Sequence, residues 1–196
     1  MTQQYFAEKP ISEYIEKEII INIKGLDFKF ITCTGVFSYR KLDRGTQLLA
    51  EAIDFSNCKS FLDLGCGYGF LGIYARISVP NVTMVDINER AIKVAKKNCK
   101  INRLKCDVLK SDSYSSLKDN KFDIIATNPP NHAGKQFIFS WIEQSKEHLN
   151  KNGKFYLVCK TKLGARSYET HMNEVFGNVE TIDRGSGYRV LCSRKV

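Results

Sequence analysis

The feature that most constrains the fold is a glycine-rich turn between a short apolar strand and a helical pattern. Residues 61–64 (FLDL) lead directly into residues 65–69 (GCGYG), and apolar residues at helical spacing follow. Glycines at such a turn let the backbone approach a ligand more closely than side chains would allow. Asp86 ends the next predicted strand, where its carboxylate can accept hydrogen bonds from both hydroxyls of a ribose. The combination predicts a nucleoside-binding crevice beyond the carboxyl ends of parallel strands.

A dinucleotide-binding pattern overlaps this turn. Gly67, Gly69 and Gly72 match the spacing G-x-G-x-x-G. The first glycine of a dinucleotide loop ends its strand, however, and here that position is Gly65. Asp63 before the turn would repel a pyrophosphate, whereas it suits the cationic amino and sulfonium groups of S-adenosylmethionine. These residues favour S-adenosylmethionine. For the glycines the alternative is a tight turn without ligand, and for Asp86 it is a cap on the following helix.

The order of predicted elements places the turn in an α/β domain. Strands are predicted at 60–64, 82–87, 104–109, 122–127 and 155–160, and helices at 70–77, 89–99, 135–149 and 165–175. This alternation indicates βαβ units and a mainly parallel sheet. Strands at 179–183 and 188–193 flank the segment 184–187 (RGSG), which is typical of a hairpin. The sheet should therefore end with an antiparallel strand.

The residues before this α/β region form a predicted extension. Strands at 18–23 and 27–32 flank Lys24-Gly25-Leu26 and predict a small β-hairpin. A helix is predicted at 43–53, with Asp43 as its N-cap. We expect one domain over 1–196, in which 1–42 is an N-terminal extension that carries the hairpin and a segment covering the pocket.

A stiff loop, Asn128-Pro129-Pro130-Asn131, follows the predicted strand 122–127. The two prolines fix φ and lack N–H groups, so the loop presents carbonyl acceptors without local donors. Rigid acceptors suit the methylation of an aromatic amine, whose nitrogen lone pair is delocalised into the ring. If the Asn128 side-chain oxygen and the Pro129 carbonyl each accept one amino hydrogen, the lone pair is directed at a sulfonium methyl group. The alternative is a surface turn.

Charge and cysteine usage bear on partners and compartment. Thirty Lys and Arg against 21 Asp and Glu leave a formal charge of +9, which suits a polyanion such as nucleic acid; a Lys-rich solubility surface is the alternative. The apolar stretch 19–23 is too short for a signal-peptide core. We therefore expect a cytoplasmic protein without membrane association. Reduced thiols, not disulfides or a zinc site, are expected for the seven cysteines, none of which forms a C-x-x-C pair: Cys33, Cys58, Cys66, Cys99, Cys106, Cys159 and Cys192.

Taken together, these motifs resemble the methyltransferase small (MTS) domain family, typified by RsmC-like 16S rRNA guanine-N2 methyltransferases. The resemblance covers nearly the whole chain, and the tail is similar to that of single-domain archaeal members. It rests on the segments 35–38 (GVFS), 42–46 (LDRGT), 63–69, 86–88, 128–130, 175–179 and 187–190.

The resemblance implies a Rossmann-like class I methyltransferase fold, with a doubly wound, mainly parallel seven-stranded sheet and an antiparallel last strand. It implies S-adenosyl-L-methionine as cofactor, S-adenosyl-L-homocysteine as product, and no metal. Asn128, Pro129 and Pro130 would form the catalytic loop. The residues that would bind or enclose the cofactor are Phe37, Ser38, Thr46, Asp63, Gly65, Cys66, Gly67, Gly69, Asp86, Ile87, Asp112 and Asn128.

Several of these residues have specific roles in the resemblance. Asp86 would hold the ribose, Asp112 would meet the adenine amino group, and Asn128 would bind the target amine. Phe37 and Ser38 would close over the pocket, and Thr46 would support it from the following helix. Asn131 departs from the family, because an aromatic residue often stands there and stacks on the target base. Stacking would then come from Phe37 or Tyr39.

The implied partner is rRNA or the small ribosomal subunit, and we expect a monomer. Protein glutamine-N methylation and an RNA-binding or ribosome-assembly factor that retains the pocket are alternatives. His148 and His171 are expected to be solvated, and His132 could touch substrate or lie on the surface. A phosphate track is expected from six basic residues on the crevice side of the sheet: Arg40, Lys41, Arg44, Lys160, Lys162 and Arg166.

Overall fold

The computed structural model describes residues 8–130 and 134–196. Within these ranges strands and helices alternate as the sequence predicts. In chain order the elements are β1 (Glu16–Ile23), β2 (Leu26–Cys33), α1 (Arg44–Ala52), β3 (Ser60–Leu64), α2 (Phe70–Ala75), β4 (Asn81–Asp86), α3 (Glu89–Ile101), β5 (Asp107–Lys110), β6 (Phe122–Thr127), α4 (Lys135–His148), β7 (Leu149–Lys160), α5 (Ala165–Phe176), β8 (Glu180–Gly185) and β9 (Tyr188–Arg194).

Seven of the strands form one sheet in the order β5-β4-β3-β6-β7-β9-β8. Five strands run parallel to one another: β5, β4, β3, β6 and β7. Strand β9 is antiparallel to both β7 and β8. The predicted doubly wound sheet with an antiparallel last strand is therefore confirmed. Strand order reverses between β3 and β6, and in open α/β sheets ligands bind beyond the carboxyl ends of the strands at such a point.

Helices and the N-terminal hairpin cover the two faces of the sheet. Phe61 packs with residues of the hairpin and of α1, α2 and α3. Leu62 and Leu64 pack on the other face, with residues of α4 and α5. Successive strand side chains point to opposite faces, so both faces of β3 are apolar because both are covered. Asp63 lies on the same side as Phe61, which explains how a carboxyl group comes to lie against α2.

The N-terminal hairpin packs on α3 instead of extending the main sheet. Its two-residue turn has positive φ at Lys24 (47°) and Gly25 (78°), as in the tight turns that favour hairpins. The fully buried Asn98 side chain accepts from the Ile31 N–H (2.7 Å) and donates to the Ile31 carbonyl (2.7 Å) and the Tyr68 carbonyl (2.8 Å). Asn98 thus joins the hairpin, α3 and the glycine turn through one amide.

Two strand boundaries differ from the sequence prediction by three residues or more. Strand β5 begins at Asp107 instead of residue 104, because Arg103 (φ 56°) and the bond from the Leu104 N–H to the Cys99 carbonyl (2.9 Å) close the end of α3. Strand β7 begins at Leu149 instead of residue 155. Its added portion pairs with Phe122 through a register shift.

His148 and His171, both expected to be solvated, are half-buried and stack on aromatic rings. The His171 ring stacks on Phe139 with centroids 4.0 Å apart, and its ring nitrogens lie 3.0 Å from Glu143 and 3.3 Å from Glu174. The His148 ring stacks on Tyr114 at 4.8 Å. Helical charge patterns on α4 and α5 do not reveal these aromatic partners.

In the described ranges no helix combines the length and the apolarity that a bilayer span requires.

We expect Asn98→Ala to lower the free energy of unfolding by about 2–3 kcal/mol, since it leaves buried backbone groups of Ile31 and Tyr68 without partners. Asn102→Ala is the matched control, because Asn102 bonds Lys29 from a partly exposed position where water can replace it. This control should cost less than about 1 kcal/mol. Urea denaturation of the three proteins measures both values, and equal losses would contradict the bridging role of Asn98.

Candidate active site

A crevice of about 280 Å³ opens beyond the carboxyl ends of β3, β4 and β6. Of the predicted site residues, Gly69 alone does not line it; that glycine precedes α2 in a left-handed conformation (φ 87°). The predicted residues that line the crevice are Phe37, Ser38, Thr46, Asp63, Gly65, Cys66, Gly67, Asp86, Ile87, Asp112, Asn128, Pro129 and Pro130.

The glycine turn is held against β4 by backbone hydrogen bonds. The N–H groups of Gly65 and Cys66 both donate to the Val85 carbonyl at 2.9 Å. Gly65 has φ 75°, and a Cβ atom there would lie 3.1 Å from the Trp141 ring. Glycine at this position is therefore required both by the left-handed backbone and by the indole beneath it.

Asp86 ties the turn to the start of α3. One carboxylate oxygen accepts from the Gly67 N–H at 2.8 Å, and the other accepts from the Asn88 N–H at 2.9 Å. A carboxylate offers about four lone-pair sites, so acceptor capacity remains toward the crevice. Burial raises the pKa of Asp86 to about 6, against the lowering effect of these backbone bonds. The cap of α3 is Asn88, so the helix-cap alternative for Asp86 is wrong.

Asp63 lies deeper in the same wall and is only 3% exposed. One carboxyl oxygen accepts from the Gly72 N–H at 2.9 Å. Burial raises the pKa of Asp63 to about 7, and the nearby Asp86 charge adds to the increase. Two partly desolvated carboxyl groups in one wall make the crevice favourable for a cation and unfavourable for an anion.

The opposite wall contains Asn128, at the end of β6. Its side-chain NH₂ donates to an Asp43 carboxylate oxygen (3.0 Å) and to the Thr46 hydroxyl (2.8 Å). A carboxylate can only accept, so this group must be the NH₂ end of the amide. No described residue donates to the Asn128 side-chain oxygen, and this oxygen is not among the buried unpaired atoms. Because Asn128 lines the crevice, we place its oxygen there as an open acceptor.

Sequence reasoning missed two aromatic residues of α4. Phe137 and Trp141 line the crevice, with ring centroids 5.0 Å apart. The Trp141 indole N–H donates to the Ser113 hydroxyl at 2.7 Å, which joins α4 to the segment after β5. A signal was available, because aromatic residues four positions apart share one helix face and this helix directly follows the Asn-Pro-Pro loop.

Other predicted residues have varied positions. Asp112 is exposed at the crevice rim. Tyr39 does not line the crevice, and its hydroxyl accepts from the Arg40 guanidinium at 2.9 Å. Asn131 and His132 lie outside the described residues. All seven cysteines are free thiols, and six are buried.

A family model for the methyltransferase small domain matches residues 27–192. The chain is 31% identical to the Bacillus subtilis protein YbxB over the full length of both. It is 31% identical to ribosomal RNA small subunit methyltransferase C of Psychromonas ingrahamii, over 93% of this chain and 54% of the relative, and 35% identical to that of Haemophilus influenzae, over 84% and 50%. The chain thus spans about half the length of these methyltransferases.

The fold is also similar to solved structures. The T. thermophilus 16S rRNA N2 methyltransferase RsmC, in complex with AdoMet and guanosine, superposes with a TM-score of 0.85 at 29% identity. The match covers 95% of this chain and 52% of that protein. A methyltransferase from Pyrococcus furiosus superposes with a TM-score of 0.61 at 23% identity, over 70% of this chain and 75% of that protein.

The raised pKa of Asp63 predicts a pH-dependent stability. Unfolding returns this carboxyl to its ordinary pKa of 3.8, while the folded protein keeps the proton up to about pH 7. The folded state therefore binds more protons in this window, and the free energy of unfolding falls as pH rises from about 4 to about 7. Asp86, whose pKa is raised to about 6, contributes a decrease of its own, so Asp63→Asn should show a smaller fall than wild type, with the difference extending to about pH 7. Chemical denaturation at each pH tests it, and parallel wild-type and variant curves would contradict it.

Asp123, at the other end of the sheet, provides a control of opposite sign. Burial acts to raise its pKa, but hydrogen bonds from Asn150, Lys59 and Ser60 outweigh that effect and lower it. Its contribution is present above the ordinary pKa of 3.8 and lost as pH falls through the lowered value. Asp123→Asn should therefore lower the free energy of unfolding by a constant amount above about pH 4, and change the slope of the stability curve only at the acid end.

Proposed function

The chain belongs to the methyltransferase small domain family, and we propose that it transfers a methyl group from S-adenosylmethionine to the N2 amino group of a guanine in small-subunit rRNA. The observation that carries the proposal is an oriented amide acceptor, Asn128, facing a crevice whose other wall contains the carboxyl groups of Asp63 and Asp86. RsmC, similar over 95% of this chain, binds AdoMet and guanosine, which supports the same pair of ligands here.

The crevice fits the cofactor by its donor set. The buried Asp63 carboxyl and the half-buried Asp86 carboxyl favour the positively charged amino acid and sulfonium end, and Asp86 retains acceptor capacity for ribose hydroxyls. Asp112, at the crevice rim, would accept a hydrogen bond from the adenine amino group. Phe137 and Trp141 add apolar surface for a purine. When bound, the cofactor supplies a methyl group activated by its sulfonium sulfur.

The Asn128 and Pro129 oxygens would hold the acceptor amine. Each accepts one hydrogen of the amino group, which shifts the nitrogen toward tetrahedral geometry and directs its lone pair to the methyl carbon. Transfer would leave the sulfur of the bound cofactor as a neutral thioether, and the methylated amine would release its extra proton to solvent. Asn128 interacts more strongly as the nitrogen gains positive charge, so it stabilises the transition state more than the bound substrate.

Phe37 would provide the surface on which the target base stacks. It lines the crevice on the segment between β2 and α1. The Asn88 side chain holds that segment by donating to the Gly35 carbonyl at 2.7 Å. Unstacked bases in RNA are commonly held by aromatic side chains in this way.

Two basic clusters flank the crevice and would contact RNA phosphates. Arg40 and Lys41 follow the crevice-lining Ser38 and, with Lys17, line a neighbouring groove. Lys162 and Arg166 lie between the carboxyl end of β7 and the first turn of α5. No ion pair with an acidic group of the described residues neutralises any of these five cations, so they are available to a polyanion.

We expect Asn128→Ala to lower kcat by about 10²-fold or more, comparable to removing a preorganised acceptor or donor in a transition state, with cofactor affinity nearly unchanged. The assay is single-turnover transfer of labelled methyl to small-subunit RNA from cells that lack the gene, with calorimetry for cofactor binding. Wild-type turnover by the alanine variant would contradict the amine-acceptor role. Transfer to a protein glutamine instead of RNA would contradict the proposed substrate.

RNA binding should depend strongly on salt, because cations at the crevice rim displace counterions from RNA. Lys162→Glu/Arg166→Glu should weaken RNA binding and reduce the slope of log K against log salt by about 0.7 for each phosphate that the variant no longer neutralises. Cofactor affinity should not change. The measurement is fluorescence anisotropy with labelled small-subunit RNA fragments between low and moderate salt.

The matched control reverses the same number of charges at the other edge of the sheet. Lys100 lies in the last turn of α3, and Lys118 lies in the exposed segment before β6. Lys100→Glu/Lys118→Glu should retain most of the wild-type slope. An equal loss in both double variants would show that net charge, rather than the crevice clusters, governs binding.

A further inference from the structure

We infer that Asp43 is a positioning residue that fixes the side-chain amide of Asn128 in its acceptor orientation. This inference rests on the proposed function, because it concerns how the amine acceptor is held. Asp43 is the N-cap of α1, and one of its carboxylate oxygens accepts from both the Thr46 N–H (3.1 Å) and the Asn128 NH₂ (3.0 Å). The cap of the helix and the anchor of the amide are thus the same oxygen atom.

The second hydrogen of the amide is engaged as well. Asn128 donates it to the Thr46 hydroxyl at 2.8 Å. Asp43 is the N-cap of α1 and Thr46 is the third residue of its first turn. The geometry of the cap therefore sets the distance between the two acceptors, the Asp43 carboxylate and the Thr46 hydroxyl. With both hydrogens bound on the α1 side, rotation of the amide by half a turn would bring its oxygen against the Asp43 carboxylate. Repulsion between these oxygens disfavours the flipped state, which would present NH₂ to the substrate amine.

A third element holds Asp43 from the far side. The Tyr188 hydroxyl, at the start of β9, donates to the other Asp43 carboxylate oxygen at 3.3 Å. Gly45 leaves room for this contact: a Cβ atom there would lie 2.7 Å from the Tyr188 ring and 2.9 Å from the Asp43 carboxylate. Gly45 has no positive φ, so space and not backbone conformation explains the glycine. The antiparallel last strand thereby contributes to the amine site.

Two substitutions at Asp43 separate positioning from helix capping. Asp43→Asn can keep an oxygen toward Thr46 and Asn128 and place its NH₂ toward the Tyr188 hydroxyl, so it should keep kcat within about threefold. Asp43→Ser retains a good N-cap, since serine caps helices about as well as aspartate, but its hydroxyl is too short to reach Asn128. Asp43→Ser should lower kcat at least tenfold, with melting temperature and cofactor affinity close to those of Asp43→Asn.

A double-mutant cycle makes the test specific. If Asp43 acts through Asn128, Asp43→Ser should change kcat by less than twofold once Asn128→Ala is present. The Asn128 side-chain NH₂ signals, assigned as the pair absent from Asn128→Ala, provide a readout apart from activity. In ¹H–¹⁵N spectra they should be distinct and slowly exchanging in wild type and Asp43→Asn, and broadened or shifted toward exposed amides in Asp43→Ser.

The outcomes distinguish this inference from the proposed function. If Asn128→Ala abolishes turnover while Asp43→Ser keeps wild-type kcat and unchanged amide signals, the positioning role of Asp43 is overturned and the proposed function stands. Additive losses in the double variant would also overturn it. If wild-type protein methylates no RNA, the proposed function fails, and the amide signals alone then decide whether Asp43 orients Asn128.

Discussion

The register of three parallel strands decides which residues meet in the crevice. Leu64 of β3 is paired with Val85 of β4 on one side and with Thr127 of β6 on the other. The Thr127 hydroxyl donates to the Leu64 carbonyl at 2.8 Å, where the two strands end together. The glycine turn and Asn128 therefore leave the sheet side by side. A shift of one residue would also exchange the two buried faces of β3 and bring Asp63 to the side of α4 and α5, so core packing and site geometry depend on the same pairing.

The two carboxyl groups in the crevice wall, Asp63 and Asp86, lower the stability of the fold. Asp63 and Asp86 are placed where burial raises the pKa of each carboxyl group. An apolar residue at position 63 would be expected to fit the layer formed around Phe61 and would not titrate. Residues with such shifted pKa values occur often at functional sites. A bound cation would offset this loss of stability, so the two carboxyl groups are best explained by the proposed ligand, S-adenosylmethionine.

The second wall is built from segments that lie outside the βαβ core. The hairpin is anchored to α3 by Asn98, and Asn88 holds the segment that carries Phe37. Helix α1 supplies Asp43 and Thr46 to the amide of Asn128. The βαβ core thus provides the crevice and Asn128, while the N-terminal residues provide the hydrogen-bond acceptors for the Asn128 amide and the segment that carries Phe37. In the proposed reaction, cofactor binding and amine orientation are assigned to different parts of the fold.

Local sequence patterns were sufficient to predict the class of fold and most of the crevice. Alternating strands and helices, the glycine turn and the Asn-Pro-Pro loop each depend on residues close together in the chain. The predicted residues meet in one crevice because the carboxyl ends of parallel strands gather at one edge of a sheet. How the Asn128 amide is held became evident only in three dimensions, since Asp43 is 85 positions from Asn128 and 145 from Tyr188. The same holds for the contact of Trp141 with Gly65. Such contacts follow from strand order and helix packing, which no local pattern encodes.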